Sequence, residues 1–114
     1  MVQCEDEREP AFAALADGTR RRMLERLARE DASISELADG FAMTLTGAKK
    51  HVQVLEAAGL VATEKVGRTR VCRLGPRRLE EERAWIDRYR AMVEARYDRL
   101  GGFLEESEEA GDER

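Results

Sequence analysis

Residues 44–78 read TLTGAKKHVQVLEAAGLVATEKVGRTRVCRLGPRR, and the hydrophobic period changes partway along them. From Thr44 the apolar residues Leu45, Ala48, Val52 and Leu55 recur at helical spacing, while Thr46, Lys49, Lys50 and Gln53 project elsewhere. Gly59 closes this helix in a left-handed cap and Leu60 packs back on it. Beyond it the spacing becomes that of strands. Val61 to Val66 and Arg70 to Leu74 read as two strands around a short Gly67-Arg68-Thr69 turn, and Pro76 stops the hairpin. A helix with a polar outer face followed by a hairpin is the distal half of a winged helix-turn-helix.

The proximal half lies upstream. Ser33-Ile34-Ser35-Glu36 spells a capping box, and Leu37, Ala38 and Phe41 give it a short helix. Gly40, near the end of that helix, is expected in a left-handed turn. Further upstream, Pro10 opens a helix with Phe12 and Leu15 on one side. Asp17 caps the next helix, Thr19 to Arg29, which carries Met23, Leu24 and Leu27 at helical spacing. The run Arg20-Arg21-Arg22 falls in that helix's first turn, where the helix dipole disfavours cations. Either an anion lies nearby or the run is solvated surface.

Downstream, a long helix runs from Arg77 to about Leu100. Its stripe consists of Trp85, Ile86, Tyr89, Met92, Val93, Tyr97 and Leu100. Gly101-Gly102 is expected to break or kink it, with Phe103-Leu104 continuing briefly. One small domain does not easily cover both faces of such a helix. A dimer seam shared with Phe12 and Leu15 is therefore favoured over packing on the helix's own body. The fold class that follows is mainly α with a small β-hairpin: a winged helix-turn-helix of five helices, the last a long dimerisation helix. Domain bounds are a polar N-terminus over 1–9, a folded unit over 10–104 with the dimerisation helix at 77–104, and an acidic tail over 105–114.

Size and composition narrow the function. With 114 residues, 39% charged and 42% hydrophobic, the chain fits one compact domain with a modest core. No run approaches the ~18 apolar residues of a membrane span. The opening MVQCEDEREP is acidic, so no secretory signal is expected, and two cysteines make no disulfide framework. A cytoplasmic setting is the expectation. The formal net charge of -4 hides an uneven distribution. Residues 44–78 sum to +6, residues 1–9 to -3 and residues 101–114 to -5. A basic middle between acidic ends is either an electrostatic footprint for phosphate or an ordinary polar surface.

The chemistry of the central stretch suits duplex DNA. An α-helix fits the major groove, and residues in its first turns reach base edges. Thr46 and Gly47 are small enough for close backbone approach, and Lys49, Lys50 and Gln53 can reach bases or phosphates. Arg68 and Arg70 at the hairpin tip are suited to the minor groove, where the potential is strongly negative.

The segments ALADGTRRRMLERL, ISELA and HVQVLEAAGLV together resemble the ArsR/SmtB-type bacterial transcriptional regulators over roughly residues 10–75. The helix AWIDRYRAMVEARYDRL is similar to a subgroup lacking the usual metal-binding motifs. The resemblance implies a homodimeric winged-helix repressor that binds double-stranded DNA at an imperfect inverted repeat. By position it also implies DNA contacts from Thr44, Thr46, Gly47, Lys49, Lys50, His51 and Gln53 in the recognition helix and from Arg68 and Arg70 in the wing. Where the family usually carries Ser-Arg-His this chain has Lys49-Lys50-His51, which adds charge and alters the usual base-contact scheme.

Other functions find less support. The arsenic- and cadmium-type sensors of the family use Cys-x-Cys in the third helix, which here reads ISELADG. The zinc-type sensors use His and Asp pairs in the last helix, which here holds no His. One histidine and two distant cysteines do not make a convergent donor set, so no metal or other cofactor is expected. Cys72 reads as a small buried filler, and Cys4 sits among acids that disfavour its thiolate. His51 has no nucleophile motif beside it and no glycine-rich phosphate loop exists, so no enzyme is expected. Two alternatives remain: a winged helix that binds proteins, or a metal- or redox-responsive regulator. The sequence names no effector.

Overall fold

The structure, a computed structural model, describes residues 8–108, with residues 8 and 102–108 described by backbone alone. Cys4, most of the polar N-terminus and the end of the acidic tail lie outside the described residues, as do the side chains of Phe103 and Leu104. The chain divides into two compact units at Leu79 and Glu80.

The first unit holds α1 (Arg8–Leu15), α2 (Gly18–Leu27), β1 (Ala32–Ser33), α3 (Ile34–Gly40), α4 (Leu45–Ala57), β2 (Val61–Val66) and β3 (Thr69–Leu74). The three strands form one antiparallel sheet in the order β1-β3-β2. The second unit is α5 (Glu80–Glu108). Five helices and a wing make a winged helix-turn-helix, as the sequence predicts.

Local chemistry sets the helix ends. Ser33 Oγ accepts from the Glu36 backbone N–H at 3.0 Å and the Ser33 N–H donates to Glu36 Oε1 at 2.8 Å, closing the capping box. Asp17 Oδ2 accepts from the Arg20 N–H at 3.0 Å. That bond, with the cation of Arg20 beside it, holds the Asp17 carboxyl below its ordinary pKa of 3.8. Thr44 caps α4 through the Gly47 N–H at 3.0 Å. At the far end Gly59 takes φ +80 and the Leu60 N–H returns to the Leu55 carbonyl at 2.9 Å.

The core gathers one face of each element: Ala14, Met23, Leu27, Leu37, Ala38, Ala48, Val52, Leu55, Val61 and Cys72 are buried. Gly75 lets two backbones meet beside it. Its N–H donates to the Leu60 carbonyl at 2.9 Å, and a Cβ at Gly75 would stand 2.5 Å from the Gly59 carbonyl oxygen.

Several expectations are corrected. α1 begins at Arg8 rather than Pro10, and α2 spans Gly18–Leu27 rather than Thr19 to Arg29. Ala11 and Ala14 fill the buried face of α1, while Phe12 and Leu15 are half-buried. Leu45 does not join Ala48, Val52 and Leu55 in the core. It sits in the first turn of α4 and is 46% exposed. The left-handed residue after α3 is Ala42, φ 53, and not Gly40. The hairpin loop is two residues long, because Thr69 pairs with Val66 across Gly67-Arg68. Gly67 supplies φ +64 in the first loop position, which suits the right-handed twist of the strands. The sheet has a third strand, since Ala32 pairs with Cys72 and Ser33 with Val71.

α5 starts at Glu80, not Arg77, and continues through Gly101-Gly102 to Glu108 without a break. Glycine weakens a helix by only about 1 kcal/mol per residue, too little to end one that is otherwise well formed. At about 1.5 Å per residue its 29 residues reach roughly 43 Å. Trp85 and Tyr89, one turn apart on α5, stack with ring centroids 5.7 Å apart and planes 7° from parallel. No described helix is long and apolar enough to cross a membrane.

Candidate nucleic-acid interface

α4 presents two distinct faces. Ala48, Val52 and Leu55 are buried behind it, which leaves Thr46, Lys49, Lys50 and Gln53 exposed on the outside. This follows from the 3.6-residue period, which puts Ala48, Val52 and Leu55 on one side of the helix and Thr46, Lys49, Lys50 and Gln53 on another. The N-cap organises the tip of that face. The Thr44 oxygen is engaged by the Gly47 N–H, and a Cβ on Gly47 would lie 3.2 Å from it, so Gly47 keeps the cap unhindered. Among the described residues the hydroxyl proton of Thr44 has no acceptor.

The wing has two faces set by strand pairing. Thr63 pairs with Cys72 and Lys65 with Arg70, so these four side chains share the inner face, with Cys72 in the core. Glu64, Val71 and Arg73 occupy the outer face, where Arg73 Nη1 meets Glu64 Oε1 at 3.1 Å. A groove of about 340 Å3 opens between the start of α3, α4 and the wing, and Ser35, Lys49, Lys65, Arg68 and Arg70 line it. A neighbouring cleft of about 360 Å3 is bounded by Lys49, Gln53, Glu56, Thr63 and Arg70. Along its edge Arg70 Nη1 donates to Thr63 Oγ1 at 3.2 Å, and Thr63 Oγ1 donates to Glu56 Oε2 at 2.9 Å.

Of the residues singled out from sequence, the structure brings Lys49, Gln53, Arg68 and Arg70 to these two adjoining grooves. Thr46 and Lys50 lie exposed on the same helix. His51 is placed differently. It is half-buried and its Nδ1 lies 3.3 Å from Arg20 Nη1. The sequence reading missed Lys65. The signal was present: Lys65 is two and four residues from Thr63 and the buried Val61, so period-two alternation puts all three on one face.

The +6 stretch is not a single footprint. Arg73 is tied to Glu64 on the outer wing face, and Arg77 Nη1 donates to the Ala58 carbonyl at 3.4 Å. Two of the three arginines at the start of α2 find backbone acceptors in the protein. Arg20 donates to the carbonyls of Ala14 and Ala13, and Arg21 to that of Leu15, at 2.7–3.0 Å. These cations sit at the C-terminal end of α1, where the dipole favours them.

Cys72 is fully buried, and burial, reinforced by the Glu56 charge and opposed by Arg70, pushes its thiol up to about 11. Among the described residues, no three His, Cys, Asp or Glu side chains gather as a metal site. On α5, Trp85, Tyr89, Met92 and Leu100 are exposed and Val93 is half-buried.

A helix-turn-helix domain family matches residues 15–64. The HTH-type transcriptional regulator Rv2034 of Mycobacterium tuberculosis is 39% identical over 79 residues, which span 69% of this chain and 74% of that protein. The solved structure of an ArsR-like transcriptional regulator from Rhodococcus sp. RHA1 superposes with a TM-score of 0.73 at 33% identity, covering 90% of this chain and 94% of that one. A homodimeric winged helix-turn-helix DNA-binding domain from Mycobacterium bovis, solved in solution, gives 0.59 at 26% identity, with 94% and 89% covered.

Proposed function

From the premise that the chain belongs to the ArsR-type winged helix-turn-helix transcriptional regulators, we propose that it is a repressor that binds an imperfect inverted repeat in double-stranded DNA as a homodimer. One observation carries this reading: a capped helix with a wholly buried back and an exposed front of Thr46, Lys49, Lys50 and Gln53 adjoins a cation-lined groove under the wing.

α4 enters the major groove. Thr44, Thr46, Gly47, Lys49, Lys50 and Gln53 contact bases and nearby phosphates, and Arg68 and Arg70 reach the flanking minor groove. Lys65 adds a phosphate contact from the inner wing. His51 acts from behind: Arg20 holds its Nδ1, and its Nε2 proton remains for a phosphate oxygen. α5 supplies dimer contacts through Trp85, Tyr89, Met92, Val93 and Leu100, and Phe12 and Leu15 of α1 supply dimer contacts of their own. The twofold sets the two recognition helices about 34 Å apart, one turn of duplex. Promoter occupancy then blocks transcription. The folded part runs from α1 (Arg8–Leu15) through α5 (Glu80–Glu108), with α5 as the dimerisation segment, and the acidic residues at the end of the sequence disfavour non-specific DNA. The chain acts in the cytoplasm and needs no cofactor.

Selection of bound sequences from random duplexes tests the reading. An enriched inverted repeat with half-sites 10–10.5 base pairs apart is expected. No enrichment over the input pool at low salt overturns it and favours a protein-binding winged helix.

A further inference from the structure

Glu56 is the only acid on α4, and it lies beside the groove that would take a polyanion. A carboxylate there repels phosphate at close range, so its placement asks for a compensating role. Its hydrogen bond with Thr63 supplies that role. A threonine hydroxyl has one proton and two lone pairs. The Thr63 proton goes to Glu56 Oε2 at 2.9 Å, which turns a lone pair toward Arg70 Nη1 at 3.2 Å. Thr63 and Arg70 are diagonal neighbours on the inner face of the wing, and Glu56 comes from the last turn of the recognition helix. Among the described residues this is the one hydrogen bond of the Arg70 guanidinium, which has five N–H donors and lines both clefts.

We propose that Glu56 and Thr63 are positioning residues that fix the Arg70 fork against the recognition helix, so that wing and helix discriminate DNA sequence as one rigid surface. This rests on the reading that α4 and the wing bind duplex DNA. Free arginine side chains reach any nearby phosphate, which favours affinity without selectivity. Holding the fork in one place lets it reward only the duplexes whose groove meets it there.

The test uses the full chain, the duplex enriched from the random pool and a shuffled duplex of equal composition, all at one salt concentration. The readout is the ratio of the two affinities. Thr63→Val keeps the β-branched shape and lowers the ratio about fivefold, the low end of what one mismatched base pair costs. Thr63→Ser retains the hydroxyl and keeps the ratio. Glu56→Ala removes the acceptor and lowers the ratio, whereas Glu56→Gln keeps an acceptor for Thr63 and tightens binding to both duplexes alike. Arg70→Ala lowers the ratio, and adding Thr63→Val to it causes no further loss. Independent, multiplying effects of Thr63→Val and Arg70→Ala overturn the proposal, as does an unchanged ratio in Thr63→Val. If the wild-type chain prefers no duplex, the DNA reading fails and the relay with it. If the wild type discriminates while Thr63→Val matches it, the relay alone fails.

Discussion

Arg20 Nη1 lies 3.3 Å from Nδ1 of His51, thirty-one residues along the chain, and so ties the start of α2 to the middle of the recognition helix. Arginine is always a donor, so Nδ1 is the acceptor where this contact is a hydrogen bond. The same guanidinium holds the carbonyls of Ala13 and Ala14 at the end of α1. One side chain therefore joins three helices, and its planar fork is what allows three directions at once.

Removing that fork loosens the junction. Arg20→Ala is expected to lower stability by about 2 kcal/mol, in the range of charge-assisted hydrogen bonds left unmade in part-buried surroundings. Arg20→Lys recovers less than half of it, because an ammonium cannot span the same acceptors. Urea denaturation at one fixed protein concentration measures both.

Lys65 faces the inner groove, whereas Arg73 is tied to Glu64 on the outer face. Lys65→Ala removes one phosphate contact per protomer and makes the log-log salt slope of DNA binding shallower by about 1.8 per dimer. Arg73→Gln leaves the slope unchanged. Affinity titrations at several salt concentrations give both slopes.

Gly75→Ala drives a Cβ to 2.5 Å from the Gly59 carbonyl, a backbone atom that cannot swing aside. A loss of about 2 kcal/mol is expected, typical of overpacking. Gly40→Ala meets nothing within 4 Å and has no positive φ, so it is neutral or slightly stabilising. Paired thermal melts distinguish the two sites.

Cys72 stays a thiol in the native protein. In a Cys4→Ser background, iodoacetamide at pH 8 leaves native Cys72 unmodified and labels it rapidly in urea. The folded thiol ionises at about 11 and the unfolded one near 9.0. An acid whose pKa is raised by folding contributes stability that is intact below 9.0 and is lost as pH rises from there toward 11. Cys72→Ala flattens that alkaline decline in stability measured by urea titration.

Met92 is 58% exposed on α5, in line with the Trp85–Tyr89 stack. Met92→Glu is expected to shift the sedimenting species from dimer to monomer at micromolar concentration. It should weaken operator binding by more than tenfold, because one half-site then binds without its partner. The helix content of the variant, read by circular dichroism, stays at the wild-type value.

What the sequence determined by itself was local. The Ser33–Glu36 capping box, the Gly59 and Gly67 turns and the buried row Ala48, Val52 and Leu55 all depend on residues a few positions apart in one element. Spacing within a helix or hairpin fixes which residues share a face, so those features were legible without coordinates. The tertiary structure decided everything whose partner lies elsewhere in the chain. It sends Arg20 to His51, adds the two-residue strand at Ala32 to Cys72, leaves Leu45 outside the core and sets Glu56 behind Thr63 and Arg70. No periodicity encodes these meetings, because they depend on how separate elements pack, and side-chain hydrogen bonds form only after that packing has brought donor and acceptor within about 3 Å.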